Sequence, residues 1–164
     1  MEWSVSIMKK EKRVEETVTE QTYLIMHRHI NGYGRLFGGQ LMQWIDGIAA
    51  IVSKRYAETE ITTAAIDNLN FRGGAHLNDT IVLVGRVTYV GDTSIEVRVD
   101  TYIEALDGQR KMINRAYIVM VAIDQNEHPV QVPRLIIETE AQKAEWEGGK
   151  RRYELRKERR REGF

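Results

Sequence analysis

NGYGRLFGGQLMQWIDGIAAIVSKR, the run from Asn31 to Arg55, carries a glycine-punctuated turn straight into a long apolar segment. Gly32, Gly34, Gly38 and Gly39 fall within eight residues. After them Leu41, Ile45, Ile48 and Val52 recur at spacings of three and four, which predicts one face of a helix. Met42, Ala49 and Ala50 widen that face, so the helix is expected to be surrounded rather than laid on an outer surface. Lys54 and Arg55 bring to its end the charge that suits a helix C-terminus. One carboxylate, Asp46, stands among Trp44, Ile45, Ile48 and Ala49. Burying it unpaired would cost several kcal/mol, so it is partnered, exposed or functional.

Working outward, the β-forming residues Val18, Thr22, Tyr23, Leu24 and Ile25 predict a strand near the end of 14–26, ahead of the turn. Beyond the helix, strands are expected at about 61–71, 79–91, 93–106 and 110–124. Ile95, Val97, Val99 and Ile103 alternate with Glu96, Arg98, Asp100 and Glu104, the pattern of a half-buried antiparallel strand. Gly91-Asp92 and Asp107-Gly108 supply hairpin turns. A polar helix follows from roughly Glu138 to Arg161, broken or kinked at Gly148-Gly149 because each glycine costs about 1 kcal/mol in a helix interior. One long helix plus antiparallel strands is an α+β plan. The sheet must curl around the helix, and the side left open is expected to pair with a second copy.

At 164 residues, 42% hydrophobic and 29% charged, the chain suits one globular domain. Residues 1–13 read as a flexible leader, 14–133 as the domain and 134–164 as a basic helical extension. There is no cysteine, which excludes a disulfide scaffold, a thiolate metal site and a cysteine nucleophile. Neither a signal peptide nor an apolar run long enough to span a bilayer is found, and a cytoplasmic setting is expected. The zero net charge conceals an asymmetry. Residues 150–164 hold eight of the 24 Lys and Arg but three of the 24 acidic residues.

The chemistry gathers at the opening stretch. A helix beginning at Gly38-Gly39 leaves its first N–H groups unpaired at the positive end of its dipole, and two glycines let a carbonyl approach them, as in an oxyanion hole. Asp46, seven residues past Gly39, lies two turns along on nearly the same face, where it could act as general base or nucleophile. The Asn31 amide could hold a water or the carbonyl oxygen. Each residue also has a structural reading. Asp46 can cap or pair within the helix, Asn31 can be a turn residue before Gly32, and the two glycines can serve only close packing.

The pattern N-x-x-G-x-L-F-G-G-x-L-M-x-W-I-D, Asn31 to Asp46, resembles the acyl-CoA thioesterases of the hotdog-fold superfamily, in particular the cytosolic acyl-CoA hydrolase family. The likeness extends to Thr62-Thr63-Ala64-Ala65-Ile66-Asp67, Asn70-Phe71, Val90 to Val97, Ala116 to Asp124 and Val132-Pro133. It implies a hotdog fold, a catalytic Asp46, a polarising N–H at Gly39 and a water-positioning Asn31. It also implies an active site shared between two protomers, so that Asn31 and Asp46 of one site come from different chains. Substrate or CoA contacts are implied at Phe37, Gly38, Asn70, Phe71 and Arg72, and at Thr93 and Ser94 where a strand begins. The expected activity is hydrolysis of acyl-CoA to free acid and CoA, with no cofactor beyond the CoA of the substrate and no metal. Expected partners are acyl-CoA and further copies of the chain, as dimers in a trimer of dimers, with neither nucleic acid nor membrane. A non-catalytic acyl-CoA sensor on the same fold is the alternative. Two departures stand out: His27-Arg28-His29-Ile30 ahead of Asn31, and the loop Arg72 to Asp79, where Asn78 takes a place usually held by glycine. Asn tolerates the left-handed conformation, so that exchange is permitted.

Other candidates carry less. His27 and His29 share a strand face but have no third ligand at a metal-site spacing; His76 and His128 stand alone in loops. Ser94 lacks the setting of a nucleophile elbow. The basic tail admits three readings: a solvated helix whose Glu154, Glu158 and Glu162 pair with nearby arginines, a phosphate-binding surface for a CoA-type ligand, or a nucleic-acid contact.

Overall fold

The computed structural model describes residues 10–164. The leader expected over residues 1–13 therefore lies largely outside the described residues. Its last part, Glu11–Arg13, forms a short strand β1, and Val14–Thr17 makes one 3-10 turn. Strand β2 covers Thr19–Leu24, and a second 3-10 turn at His27–His29 precedes the glycine-rich turn. Helix α1 runs from Gly38–Ala57. Strands β3 (Glu60–Phe71), β4 (Thr80–Val90), β5 (Ser94–Glu104) and β6 (Arg110–Ile123) follow within two residues of the ends expected from the sequence. A short β7 (Arg134–Ile136) pairs in parallel with β1, and α2 closes the chain at Glu140–Glu162.

The five long strands form one antiparallel sheet in the order β2-β4-β5-β6-β3, which leaves β2 and β3 as its edges. Helix α1 touches all five, as a helix wrapped by a curled sheet must. Its buried residues are Leu41, Trp44, Ile45, Ile48, Ala49, Val52, Ser53, Tyr56 and Ala57, the face that the spacing of three and four anticipates. Gly85 of β4 lets the helix in. A methyl group there would stand 3.1 Å from Val52 and 3.4 Å from Ile48. One expectation about α1 needs correction. Met42 is exposed, as are Gln43 and Gly47, so one side of the helix is uncovered rather than apolar all round. The helix ends on Glu58 in the left-handed conformation, a position glycine usually fills. Asn78 does adopt the left-handed region, at φ 69°, in the loop before β4.

Helix α2 overturns a larger expectation. It runs unbroken through Gly148-Gly149 and packs against the outer face of the sheet. Of the two glycines, Gly149 serves close contact with the sheet. A methyl group on Gly149 would lie 2.4 Å from the Tyr89 Cβ and 3.0 Å from Glu96 Oε1. Trp146 and Tyr153 flank Tyr89 with ring centroids 4.5 and 5.7 Å away. Beneath the helix the charged residues of β5 are not solvated. Glu96 is 1% exposed and receives Arg152 through two hydrogen bonds of 2.8 and 2.9 Å, with Thr88 Oγ1 donating a third at 2.7 Å. Asp67 of β3 accepts from Arg156 at 2.7 Å and from Arg159 at 3.2 Å. Asp100, equally buried, is held by Arg98 and Arg115, and Arg98 also reaches Glu145 of α2. Burial works against the Arg152 and Arg98 charges, but the carboxylates facing them outweigh it and hold both guanidinium pKa values above the usual range. Among the described residues Glu154, Glu158 and Glu162 form no ion pair; Arg152, Arg156 and Arg159 pair with the sheet instead.

Candidate active site

The turn before α1 is built on Asn31. Its Oδ1 accepts from the N–H groups of Tyr33 at 2.9 Å and Arg35 at 3.2 Å, and its backbone exchanges bonds with Gly34 and Arg35. The turn reading of Asn31 thus describes its carbonyl end. Its Nδ2 has no partner among the described residues and stays free for a ligand.

At the helix start the Phe37 carbonyl accepts from Gln40 and Leu41. The N–H groups of Gly38 and Gly39 have no acceptor among the described residues, leaving two donors at the positive end of a 20-residue helix. The Phe37 ring lies over Gly39, where an added methyl group would meet it at 2.5 Å, and Phe71 lies 3.4 Å from the same point on Gly38. Asn31, Gly38, Phe71 and Arg72 line one cavity of about 420 Å³, with Arg35, Leu36, Leu41, Ala75 and Ile113 among its other walls. Asn70 stands at a bulge of β3, its carbonyl accepting from Asn114 at 2.8 Å.

Asp46 is outside that cavity. At about 1.5 Å per residue its Cα stands about 10 Å along the helix from Gly39, too far for its carboxylate to serve a carbonyl held by the same protomer's helix start. It is half-buried beside the edge strand β3, and its Oδ1 accepts a 2.8 Å hydrogen bond from Thr63 Oγ1. Asp46 is therefore partnered, but across to the sheet rather than within its helix. The sequence does not mark Thr63 as a partner of Asp46, since 17 residues separate the two. Its place in the Thr62 to Asp67 segment was the available signal.

Thr93 and Ser94 lie apart again, in a cleft whose other walls are Ala64 to Asp67 of β3, Val119 and Val121 of β6, and Tyr153, Arg156, Arg159, Arg160 and Phe164 from α2 and its end. Arg156 is spent on Asp67. Arg159 is half exposed beyond its single bond to Asp67, and Arg160 has no ion pair among the described residues. The predicted residues thus fall into three groups: Asn31 with the helix start, Asp46 with Thr63, and Thr93-Ser94 with the arginines of α2. Among the described residues no three His, Asp or Glu side chains converge as a metal site would need, and no helix is long and apolar enough to cross a membrane.

The family model of the thioesterase superfamily matches residues 33–107, a span that takes in α1, Asp46 and Thr63. An acyl-CoA thioester hydrolase of Bacillus subtilis, YkhA, itself uncharacterised, is 36% identical over 127 residues, covering 77% of this chain and 74% of its own. The chain belongs to the acyl-CoA thioester hydrolases of the thioesterase superfamily. Two solved structures show that the likeness of this hydrolase to its family extends to the fold. A hexameric acyl-CoA thioesterase in its apo form superposes with a TM-score of 0.86 at 35% identity, covering 92% of this chain and 97% of that one. The acyl-CoA hydrolase of Staphylococcus aureus, solved with butyryl-CoA, CoA and CoA disulfide, gives 0.87 at 29% identity over 93% of each chain. The hotdog fold expected of the hydrolase is present: a long helix wrapped by an antiparallel sheet, with an added C-terminal helix.

Proposed function

We propose that this hydrolase cleaves the thioester of acyl-CoA, and that its active site is composite, with Asn31 and Gly39 from one protomer and Asp46 from another. The observation that carries this reading is the separation of the unpaired Gly38 and Gly39 donors from Asp46 along one helix. Asp46 and Thr63 sit at the unpaired edge of β3, with the exposed Met42 one turn back on α1 and the exposed Phe71 at the far end of that strand. Pairing two copies across that face would bury the apolar residues and bring each Asp46 toward the other copy's helix start. Relatives solved as hexamers support further association, which we place as a trimer of dimers.

In this reading the thioester oxygen points at the Gly39 N–H, which stabilises the charge gained as water adds to the carbonyl carbon. The free Asn31 Nδ2 orients that water. Asp46 takes its proton, the C–S bond breaks, and the proton passes to the departing thiolate, leaving acid and CoA. Direct attack by Asp46, forming an anhydride that water then opens, uses the same atoms. Neither route calls for a metal or cofactor. The CoA nucleotide is assigned to the cleft at Thr93 and Ser94, where Arg159 and Arg160 offer charge to its phosphates. A cysteine-free chain acting on CoA esters suits the cytoplasm.

The test is thiol release across acyl-CoA chain lengths, with Asp46→Asn beside the wild type. The variant is expected to lose at least about a hundredfold in kcat while binding CoA nearly as well. Equal turnover would remove Asp46 from the mechanism. Tight binding without thiol release from any ester would make the chain a sensor.

A further inference from the structure

The cavity at the start of α1 has a charge that the reaction itself does not use. Two of its lining residues are arginines, Arg35 and Arg72, and none is an aspartate or glutamate. Neither guanidinium has an ion pair or side-chain hydrogen bond among the described residues. This contrasts with Arg98, Arg110, Arg115, Arg152 and Arg156, each of which is matched to a carboxylate. Arg35 is also held in place. Its N–H is tied to Asn31 Oδ1, its backbone bridges to His76, and its stem lies on Gly74, whose missing Cβ would stand 3.5 Å from Arg35 Cδ and 3.7 Å from Nε. Between the cations and the helix start the wall is apolar: Leu36, Leu41, Phe71 and Ile113.

Resting on the thioesterase reading, we propose that this cavity takes the acyl group, and that Arg35 and Arg72 select short acyl chains ending in a carboxylate, the CoA monoesters of dicarboxylic acids. The methylenes of such a chain lie along the apolar wall while its thioester carbonyl faces Gly39. The far carboxylate then meets two guanidinium groups, whose planar donors suit it. A neutral chain of equal length leaves both cations facing only water. The volume of about 420 Å³ has room for such a chain.

The experiment compares two matched pairs of esters, butyryl-CoA with succinyl-CoA and hexanoyl-CoA with adipoyl-CoA, by thiol release and by calorimetric binding to the Asp46→Asn protein. Wild type is expected to favour the carboxylated member of at least one pair by about tenfold in kcat/KM, and Arg35→Gln to erase that ratio, as Arg72→Gln should in turn. Both side chains are exposed, so the variants should fold. A preference for the neutral esters would overturn the proposal. So would equal losses on both members of each pair with weaker binding of CoA itself, which would assign the arginines to the phosphates of CoA. Absence of thiol release from all four esters would defeat the thioesterase reading alone, because the binding comparison still reads the selectivity.

Discussion

Replacing Gly149 by Ala tests whether α2 is seated by close contact on the sheet. The added methyl group would stand 2.4 Å from Tyr89 Cβ, where ordinary contact begins near 3.4 Å, so the helix must lift by about 1 Å. Neither neighbour yields easily. Tyr89 Cβ is fixed by its strand, and Glu96, 3.0 Å from the methyl, is clamped by Arg152 and Thr88. Overpacking of this kind costs about 1–3 kcal/mol, while alanine returns about 1 kcal/mol of helix propensity. Stretching the Arg152 bonds to a fully buried carboxylate adds to the cost, with complete loss of the pair, about 3–5 kcal/mol, as the ceiling. A net destabilisation of about 1–2 kcal/mol should lower the melting temperature by about 2–8 °C in a chain of this size. Gly148→Ala is the control, because the nearest atoms its methyl would meet are those of the Arg152 guanidinium, at 3.2, 3.6 and 3.8 Å. It should be neutral or slightly stabilising. Circular dichroism melts read the stability, and trypsin reads the helix, whose many Lys and Arg become cleavable once it lifts. A Gly149→Ala protein that melts at or above the wild-type temperature with unchanged proteolysis would refute the close seating of α2.

Three further outcomes are expected. Thr63→Val keeps the shape of the side chain but removes the donor to Asp46; hydrogen bonds to charged groups are worth about 1.5–3 kcal/mol, and a half-buried site calls for the lower figure, so kcat/KM for thiol release should fall about tenfold. Asn31→Asp retains the acceptor that builds the turn and deletes the Nδ2 donor. Its melting temperature should hold while kcat drops about tenfold to a hundredfold, and full activity would leave Asn31 with the turn alone. Tyr56 donates to the Pro133 carbonyl at 2.7 Å, and burial pushes its hydroxyl pKa well above the usual value of 10.0. A raised folded-state pKa contributes stability that is whole below the unfolded value and lost as pH climbs past it. Wild type should therefore lose melting temperature above pH 10 faster than Tyr56→Phe, which starts about 1 kcal/mol less stable at neutral pH; parallel curves would count against a buried, bonded hydroxyl.

The sheet and its central helix were legible because their signals are local. The spacing of Leu41, Ile45, Ile48 and Val52 and the alternation along Ile95 to Val99 each need only a few neighbouring residues to read. What lay hidden depends on segments far apart in the chain. Glu96 falls on the polar side of its strand's alternation, and nothing near Asp67 in sequence marks it as buried; Arg152 and Arg156, 56 and 89 residues later, cover them. The spacing Arg152, Arg156, Arg159 does mark one helix face, a sign that those charges answer to a partner. Met42 passed for core because hydropathy does not tell a covered side chain from one left open. At the site, Asn31 and Gly38 are near in sequence and line one cavity, whereas the reach from Gly39 to Asp46 is a matter of helix rise that the shared face conceals.

The carboxylates under α2 bear on how such a chain can change through descent. Asp67 and Glu96 are tolerable only while the arginines of a separate segment cover them; either alone, left in a dry interface, is a defect. A lineage cannot shed or redirect that terminal helix by one step, nor neutralise the strand residues first without stranding the cations. Relatives that dispense with the helix should carry uncharged residues at both strand positions, and those that keep the acids should keep arginine opposite. The two segments are bound to vary together, although neither touches the reacting atoms.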